Sequence, residues 1–145
     1  MEIKNLPEDI NVLYVKAESF PFGIKAAHEK LHSLVNEEDK RRYFGISWMN
    51  KNNEIEYLAA AEALNPNESD KYGCSTFTIR KGDYISETLL DWCKPEGRVA
   101  AVFQEMLKHP QLDKNGYCLE IYLNDTDMEC LVKLQDKQRK YNDQN

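Results

Sequence analysis

Strict alternation along residues 117–123 constrains the fold more than any other feature of this sequence. One side carries Leu119, Ile121 and Leu123, and the other carries Cys118, Glu120 and Tyr122. A period of two residues is typical of a half-buried β-strand. The first side predicts a contribution to the core. The second side places a lone carboxylate beside an aromatic ring, and this pairing makes Glu120 a candidate functional residue.

Two stretches of the sequence recur at one separation, which indicates an internal repeat. Residues 21–27 resemble residues 95–101, and residues 43–48 resemble residues 117–122, so that the shift is 74 positions in both cases. This shift is close to half of the 145 residues, and we therefore interpret it as a duplication.

The duplication predicts how the domain is organised. We expect a single domain over residues 1–145, with repeats at 8–64 and 74–135 and a polar tail at 136–145. In this alignment Trp48 corresponds to Tyr122 and Ile46 corresponds to Glu120. Only the second half would then carry the charge.

The composition disfavours several classes of function. A net charge of −6 argues against direct nucleic-acid binding, which needs a basic surface. No apolar run approaches the ~20 residues of a membrane span, and the N-terminus lacks the apolar core of a signal peptide. The four cysteines form no C-x-x-C motif, which predicts reduced thiols. We therefore expect a cytoplasmic protein without membrane association, and no motif predicts a cofactor.

Hydrophobic periodicity predicts the same order of elements twice. The expected elements are a strand at 10–17, a helix at 24–36, strands at 43–49 and 54–64, a strand at 74–81, a helix at 95–108, and strands at 117–123 and 130–134. Each amphipathic helix must bury its apolar stripe against a sheet. We therefore predict an α+β fold of tandem strand-helix-strand-strand modules. Its antiparallel sheet would carry two helices on one face and a cleft between the halves.

The expected faces of this sheet locate a candidate site. We expect the helices to cover the apolar side of residues 117–123. The opposite face would then carry the charge and the aromatic rings, on Phe44, Ile46, Trp48, Glu120 and Tyr122. A solvent-facing sheet surface does not normally hold so many large apolar residues, which predicts a ligand cleft on this face. The predicted ligand-binding residues are Glu120, Tyr122, Trp48, Phe44, Tyr57 and Cys118.

The sequence resembles the GyrI-like family, which comprises the effector-binding domains of bacterial multidrug-responsive transcription activators and free-standing relatives. Residues 118–122, Cys-Leu-Glu-Ile-Tyr, resemble the family's strand that ends in Glu-x-Tyr. Residues 77–84 resemble its Ile-Pro-x-Gly-x-Tyr strand, and the duplicated order of elements extends the likeness over about residues 8–135. The chain departs from the family at Arg80, where the family favours proline, and in the alanines at 59–61.

The resemblance implies binding of a small amphipathic molecule, cationic or aromatic, with Glu120 as the carboxylate at the floor of the cleft and Tyr122 beside it. It also implies multidrug binding and a part in transcription regulation. Some members of the family are hydrolases, so a hydrolase that uses Glu120 is an alternative, and whether the chain is an enzyme stays open. A protein-interaction module, with the aromatic face as the docking surface, is a further alternative.

Residues 28–32, His-Glu-Lys-Leu-His, match the H-E-x-x-H motif of zinc proteases. The apolar stripe of the helix leaves His28 at its edge and His32 toward solvent, and no third ligand follows at a suitable spacing. We therefore predict a solvated helix surface without metal and rank the metalloprotease as a minor alternative. Cys118 has no histidine placed to activate it, which predicts a small buried thiol.

Overall fold

The computed structural model describes residues 1–136, which form eight strands and three helices. The strands are β1 Glu2–Leu6, β2 Ile10–Lys16, β3 Tyr43–Met49, β4 Ile55–Glu62, β5 Ser75–Ile79, β6 Gly82–Leu89, β7 Cys118–Tyr122 and β8 Met128–Lys133. The helices are α1 Ile24–Leu34, α2 Glu68–Tyr72 and α3 Arg98–Met106. None of these helices has the length and apolarity that crossing a bilayer requires.

All eight strands join one curled antiparallel sheet in the order β1-β6-β8-β7-β3-β4-β2-β5. The order β-α-β-β occurs twice, as β2-α1-β3-β4 and as β6-α3-β7-β8, and the two modules meet where β3 pairs with β7. The predicted tandem modules are confirmed. The strand that precedes each module crosses to the other one, since β1 pairs with β6 and β5 pairs with β2. The duplication at 8–64 and 74–135 stays a prediction.

Helices α1 and α3 lie on the same face of the sheet, as predicted. Leu31 of α1 packs against Leu13 of β2 and Ala59 of β4, and Met106 of α3 packs against Cys130 of β8. Burying a side chain of the size of Leu or Met stabilises the fold by ~1.5–3 kcal/mol. Contacts of α1 run to β2 and β4, and contacts of α3 run to β6 and β8. The central strands β3 and β7 are therefore left between the two helices.

The face without helices forms a core of its own because the sheet curls over it. Its buried side chains come from most of the strands and include Val12, Phe44, Ile46, Leu58, Leu119 and Leu131. The hydroxyls of Tyr84 and Tyr117 lie 2.8 Å apart in the same core. The apolar side of β7 therefore packs inside the curl of the sheet rather than under a helix.

The predicted distribution of residues between the two faces is wrong. Gly45 pairs with Glu120, and Phe44 pairs with Ile121. Directly paired residues share a face, so Glu120 and Tyr122 point toward the helices, whereas Phe44, Ile46 and Trp48 point into the curl. The shift of 74 positions equates Gly45 with Leu119, although these two residues lie on opposite faces. A slip of one residue moves every side chain of a strand to the other face, and the equivalence of Trp48 with Tyr122 fails for this reason.

Several element boundaries also differ from the predictions. Strand β1 is an element that the sequence analysis did not predict. The connector predicted at 65–70 contains the start of α2, and Gly73, directly after this helix, has a left-handed conformation with φ 66°. The second helix begins at Arg98 rather than near Pro95. The apolar residues of β1, Ile3 and Leu6, do not alternate, and α2 has five residues, fewer than two helical turns, so neither element shows the pattern that identifies the others. Of the predicted tail at 136–145, only Asp136 belongs to the described residues.

Candidate functional site

An open cleft of about 780 Å³ lies on the helix face at one end of the central strands. Helix α1 contributes His28 and His32, the start of β3 contributes Tyr43, and the end of β7 contributes Tyr122. Trp92, from the loop between β6 and α3, completes the aromatic lining. The ring centroids of Trp92 and Tyr122 are 6.2 Å apart. The cleft lies between the two modules, as predicted, but it opens on the opposite face from the one expected.

The carboxyl group of Glu120 lies behind the wall of this cleft. Its Oε1 accepts hydrogen bonds from the hydroxyls of Tyr57, at 2.8 Å, and Tyr122, at 2.7 Å. Glu120 keeps part of its residue surface accessible, but its carboxyl group is enclosed by protein atoms, and this enclosure governs its electrostatics. Burial raises the pKa of Glu120, and the two tyrosine hydrogen bonds act in the opposite direction. The site therefore holds a carboxyl group whose ionised form is costly without a further positive charge.

Both tyrosines are held in the protonated form. Burial, followed by the nearby charge of Glu120, raises the pKa of Tyr57 and of Tyr122 well above the usual range. Their hydroxyls lie 3.1 Å apart and converge on one carboxylate oxygen. Each hydroxyl has a single proton to donate, so the pair acts as a fixed donor clamp on Glu120.

The absence of a side chain at Gly45 makes room for this clamp. Gly45 lies opposite Glu120 in the ladder between β3 and β7. A Cβ atom on Gly45 would overlap the Tyr57 hydroxyl and Glu120 Oε1, and it would stand 2.8 Å from Tyr57 Cζ. A glycine in the interior of a strand is unfavourable in itself, and here the close approach of the Tyr57 and Glu120 side chains accounts for it.

His28 contacts both tyrosines from the side of the cleft. Its Nε2 lies 2.9 Å from the Tyr57 hydroxyl and 3.5 Å from the Tyr122 hydroxyl, and its ring meets both aromatic rings edge-on. Burial, assisted by His32, lowers the pKa of His28 to about 4, so the imidazole is neutral near pH 7. The prediction of a solvated helix surface at His28 is wrong. The cleft opens on the helix face of the sheet, so the edge of α1 that carries His28 lines the cleft, and the residue is half-buried.

The second histidine of the H-E-x-x-H motif has different partners. His32 stacks on Tyr43 at 4.4 Å, and its Nδ1 lies 2.8 Å from Glu37 Oε2. Residues 1–136 contain no group of three His, Cys, Asp or Glu side chains arranged to hold a metal ion. The two histidines thus serve different contacts in this structure, and the prediction that no metal is bound stays a prediction.

The structure brings together only some of the predicted ligand-binding residues. Glu120, Tyr122 and Tyr57 form one hydrogen-bonded group. Cys118 shares their face but packs with the core under α3, where burial and then the charge of Glu120 raise its pKa to about 11. Phe44 is completely buried on the other face. Trp48 lies on that face too and stacks on Phe77 at 6.1 Å.

Of the five side chains with aromatic rings that line the cleft, the sequence predicted only Tyr122 as a ligand-binding residue, and it missed His28, His32, Tyr43 and Trp92. The periodicity of α1 places His28 at the edge of its apolar stripe, and Trp92 lies in a stretch whose periodicity fits strand, turn or helix equally. The H-E-x-x-H match was a signal for His28, but it pointed to a metal rather than to a tyrosine pair. Nothing in the local sequence distinguishes Trp92 as a wall of the cleft.

Charges near the mouth of the cleft are paired or exposed. The side chain of Arg41 is 0% exposed and binds both carboxylate oxygens of Glu68 at 3.0 Å, which neutralises its charge. Lys25 and Asp125 lie at the exposed rim, with opposite signs. Solvent screens charges at such positions strongly. The carboxyl group of Glu120 is therefore the charged group that most affects the interior of the cleft.

No family model matches this sequence, and no curated protein matches it significantly. Solved structures do resemble the fold. An integron cassette protein from the mobile metagenome of Vibrio cholerae has 13% identity and a TM-score of 0.67, over 92% of this chain and 95% of the other. The protein SAV2435, solved bound to tetraphenylphosphonium, has 12% identity and a TM-score of 0.64, over 92% and 93%. A hydrolase from Listeria innocua has 13% identity and a TM-score of 0.58, over 92% and 90%. At these identities the likeness shows a shared fold alone.

Proposed function

We propose that this protein binds a small amphipathic molecule of cationic and aromatic character in the cleft between its two modules. The observation that carries the proposal is the enclosed carboxyl group of Glu120, clamped by Tyr57 and Tyr122 behind an aromatic lining. A volume of about 780 Å³ falls within the range of roughly 300–1,000 Å³ that is usual for small-molecule sites.

The chemistry of the lining suits a cation. Aromatic faces attract a positive charge by ~0.5–2 kcal/mol each, more when the charge is desolvated. A bound cation would also compensate the cost of ionising Glu120, whose raised pKa expresses that cost. A neutral ligand would gain the apolar contacts but not this second contribution.

Two further observations support placing the protein with the GyrI-like domains. The Glu-x-Tyr strand, residues 118–122, supplies both the carboxylate and one of its donors, as the resemblance implies. A protein of the same fold was solved with tetraphenylphosphonium, a lipophilic aromatic cation. We infer a domain of this kind, with a part in multidrug binding and transcription regulation.

A pair of ions with the same shape and opposite charge tests the proposed function. Tetraphenylphosphonium and tetraphenylborate present the same four phenyl rings, so their difference in affinity reports on charge. We expect calorimetry at pH 7.5 to give at least about tenfold tighter binding of the phosphonium, equal to ~1.4 kcal/mol. Equal affinities, or tighter binding of the borate, would contradict a cation site.

The two tryptophans should report differently on ligand binding. Trp92 lines the cleft, whereas Trp48 lies on the other face of the sheet. We therefore expect tetraphenylphosphonium to change the fluorescence of the protein, and we expect the Trp92→Phe variant to lose most of that change because Trp92 is the tryptophan that lines the cleft. Trp48→Phe is the matched control and should keep the change. A signal that disappears in Trp48→Phe instead would place the ligand on the other face.

The hydrolase alternative has one specific observation in its favour. His28, Tyr57 and Glu120 form a continuous hydrogen-bonded chain that opens to the cleft, and such a chain can move a proton. A structure of the same fold is described as a hydrolase. If these three hydrogen-bonded side chains are catalytic, Glu120→Gln should abolish turnover while a neutral substrate still binds.

A further inference from the structure

His28 stands between the cleft and the carboxyl group of Glu120. His28 and Tyr122 line the cleft, and Glu120 lies behind them. The imidazole Nε2 approaches the hydroxyls of Tyr57 and Tyr122, and both hydroxyls bond to Glu120 Oε1. A group that approaches the carboxylate from the cleft therefore meets the imidazole or Tyr122 before it reaches Glu120.

Counting protons indicates the tautomer of the imidazole when Glu120 is ionised. Each tyrosine hydroxyl has one proton, and both protons are donated to Glu120. The oxygen of Tyr57 can then only accept from His28, so Nε2 of the neutral ring carries the proton. Since burial lowers the pKa of His28 to about 4, the ring adds no positive charge near pH 7. His28 thus covers the charge of Glu120 sterically without neutralising it.

The position of His28 over Glu120 should lower the affinity of the cleft for some cations more than for others. A primary ammonium is a compact, strongly hydrated charge with three N–H donors, and it needs acceptors to replace its water. The rings of His28, Tyr43, Trp92 and Tyr122 line the cleft, and the polar side chains of Lys25, Asn124 and Asp125 lie at its exposed rim. Ring faces suit quaternary ammonium and phosphonium ions, which have no N–H to satisfy. The carboxylate of Asp125 lies at the exposed rim, where an ion pair is worth little.

We propose that His28 is the specificity-determining residue of this cleft, because it admits cations whose charge is spread over a bulky apolar group and keeps compact ammonium ions away from Glu120. This inference rests on the proposed function and narrows its ligand class.

A matched pair of ligands tests the role of His28. The probes are 4-phenylbutyltrimethylammonium and 4-phenylbutylammonium, which share one apolar tail, and calorimetry at pH 7.5 gives both affinities. We expect the wild-type protein to bind the trimethyl form about tenfold more tightly. In His28→Ala the imidazole no longer covers the tyrosine hydroxyls and Glu120, and the two affinities should come within about threefold because the primary ammonium gains. His28→Gln retains an N–H donor and most of the cover, so its ratio should stay close to that of the wild type.

Three outcomes would overturn this role for His28. They are equal affinities in the wild type, an unchanged ratio in a folded His28→Ala variant, and a gain in His28→Ala that vanishes when Asp125→Asn is added. The last result would show that the higher affinity for the primary ammonium comes from Asp125 at the rim and not from Glu120. His28→Ser replaces His28→Ala if the alanine variant unfolds. The proposed function fails separately, through the absence of tetraphenylphosphonium binding to the wild type.

Discussion

Gly45→Ala is expected to destabilise the protein by about 1–3 kcal/mol and to abolish ligand binding in the cleft. The new methyl group would occupy the space that the Tyr57 hydroxyl and Glu120 Oε1 share. Strand β3 is paired on both sides, with β4 and with β7, so the backbone at position 45 has little freedom to move away. The side chains of the clamp must therefore separate. Urea unfolding measures the loss of stability, and calorimetry with tetraphenylphosphonium measures the loss of binding.

A second variant identifies the cause of that loss. Tyr57→Phe removes the hydroxyl that the methyl group would meet, so Gly45→Ala combined with Tyr57→Phe should be more stable than the sum of the single changes predicts. Ser47→Ala, at the next position on the same face of β3, is the control. It adds no atom near Tyr57 or Glu120, and the loss of the hydrogen bond between Ser47 and Cys118 should lower the free energy of unfolding by no more than ~0.5–1.5 kcal/mol. Additive effects in the double variant would show that position 45 tolerates a methyl group without touching Tyr57.

The strand at the centre of the site was predictable, but the face that carries the site was not. The alternation around Glu120 is correct to within one residue at each end of β7. This alternation predicts which residues share a side of the strand, but it does not indicate which side a helix covers. In most two-layer folds the apolar side of a strand faces the helices, and Leu119 and Ile121 were assigned accordingly. Here the sheet curls and buries that side against itself, which is a property of eight strands together rather than of one.

The alignment of the two halves added a second error for a related reason. A shift of 74 positions relates α1, which begins at Ile24, to α3, which begins at Arg98. In the strands that follow these helices, Gly45 pairs with Glu120 and therefore lies on the same face of the sheet. These two positions differ by 75, an odd number. A shift of 74 positions therefore equates residues of β3 with residues on the opposite face of β7. Short sequence matches carry no information about a single inserted or deleted residue. The position of Tyr57 in β4 places it on the face of Gly45 and Glu120, where its hydroxyl bonds to Glu120, and its contact with a ligand stays a prediction.

Replacing Glu120 by glutamine is expected to weaken binding of tetraphenylphosphonium by ~1–3 kcal/mol, or about 5- to 150-fold. Glutamine keeps the shape and an oxygen acceptor for Tyr57 and Tyr122 but removes the charge. The fold should not suffer, because burial raises the pKa of Glu120 and ionising it therefore costs stability at neutral pH. We expect equal or higher resistance to urea at pH 7.5. Unchanged affinity for the phosphonium in this variant would reject the counter-charge role.

The pH dependence of binding supplies an independent readout of the same carboxylate. With its pKa raised by burial, Glu120 takes up a proton as pH falls through that pKa, and a cation must then displace this proton in order to bind. Affinity of the wild type should therefore fall as pH is lowered, by up to about tenfold per pH unit below the pKa, and reach a plateau above it. In Glu120→Gln the profile should be flat over the same range. His28, with a pKa of about 4, gains a charge only at the acid end, and His28→Gln removes that contribution. A slope that persists in Glu120→Gln and disappears in His28→Gln would assign the linked proton to the imidazole instead of the carboxylate.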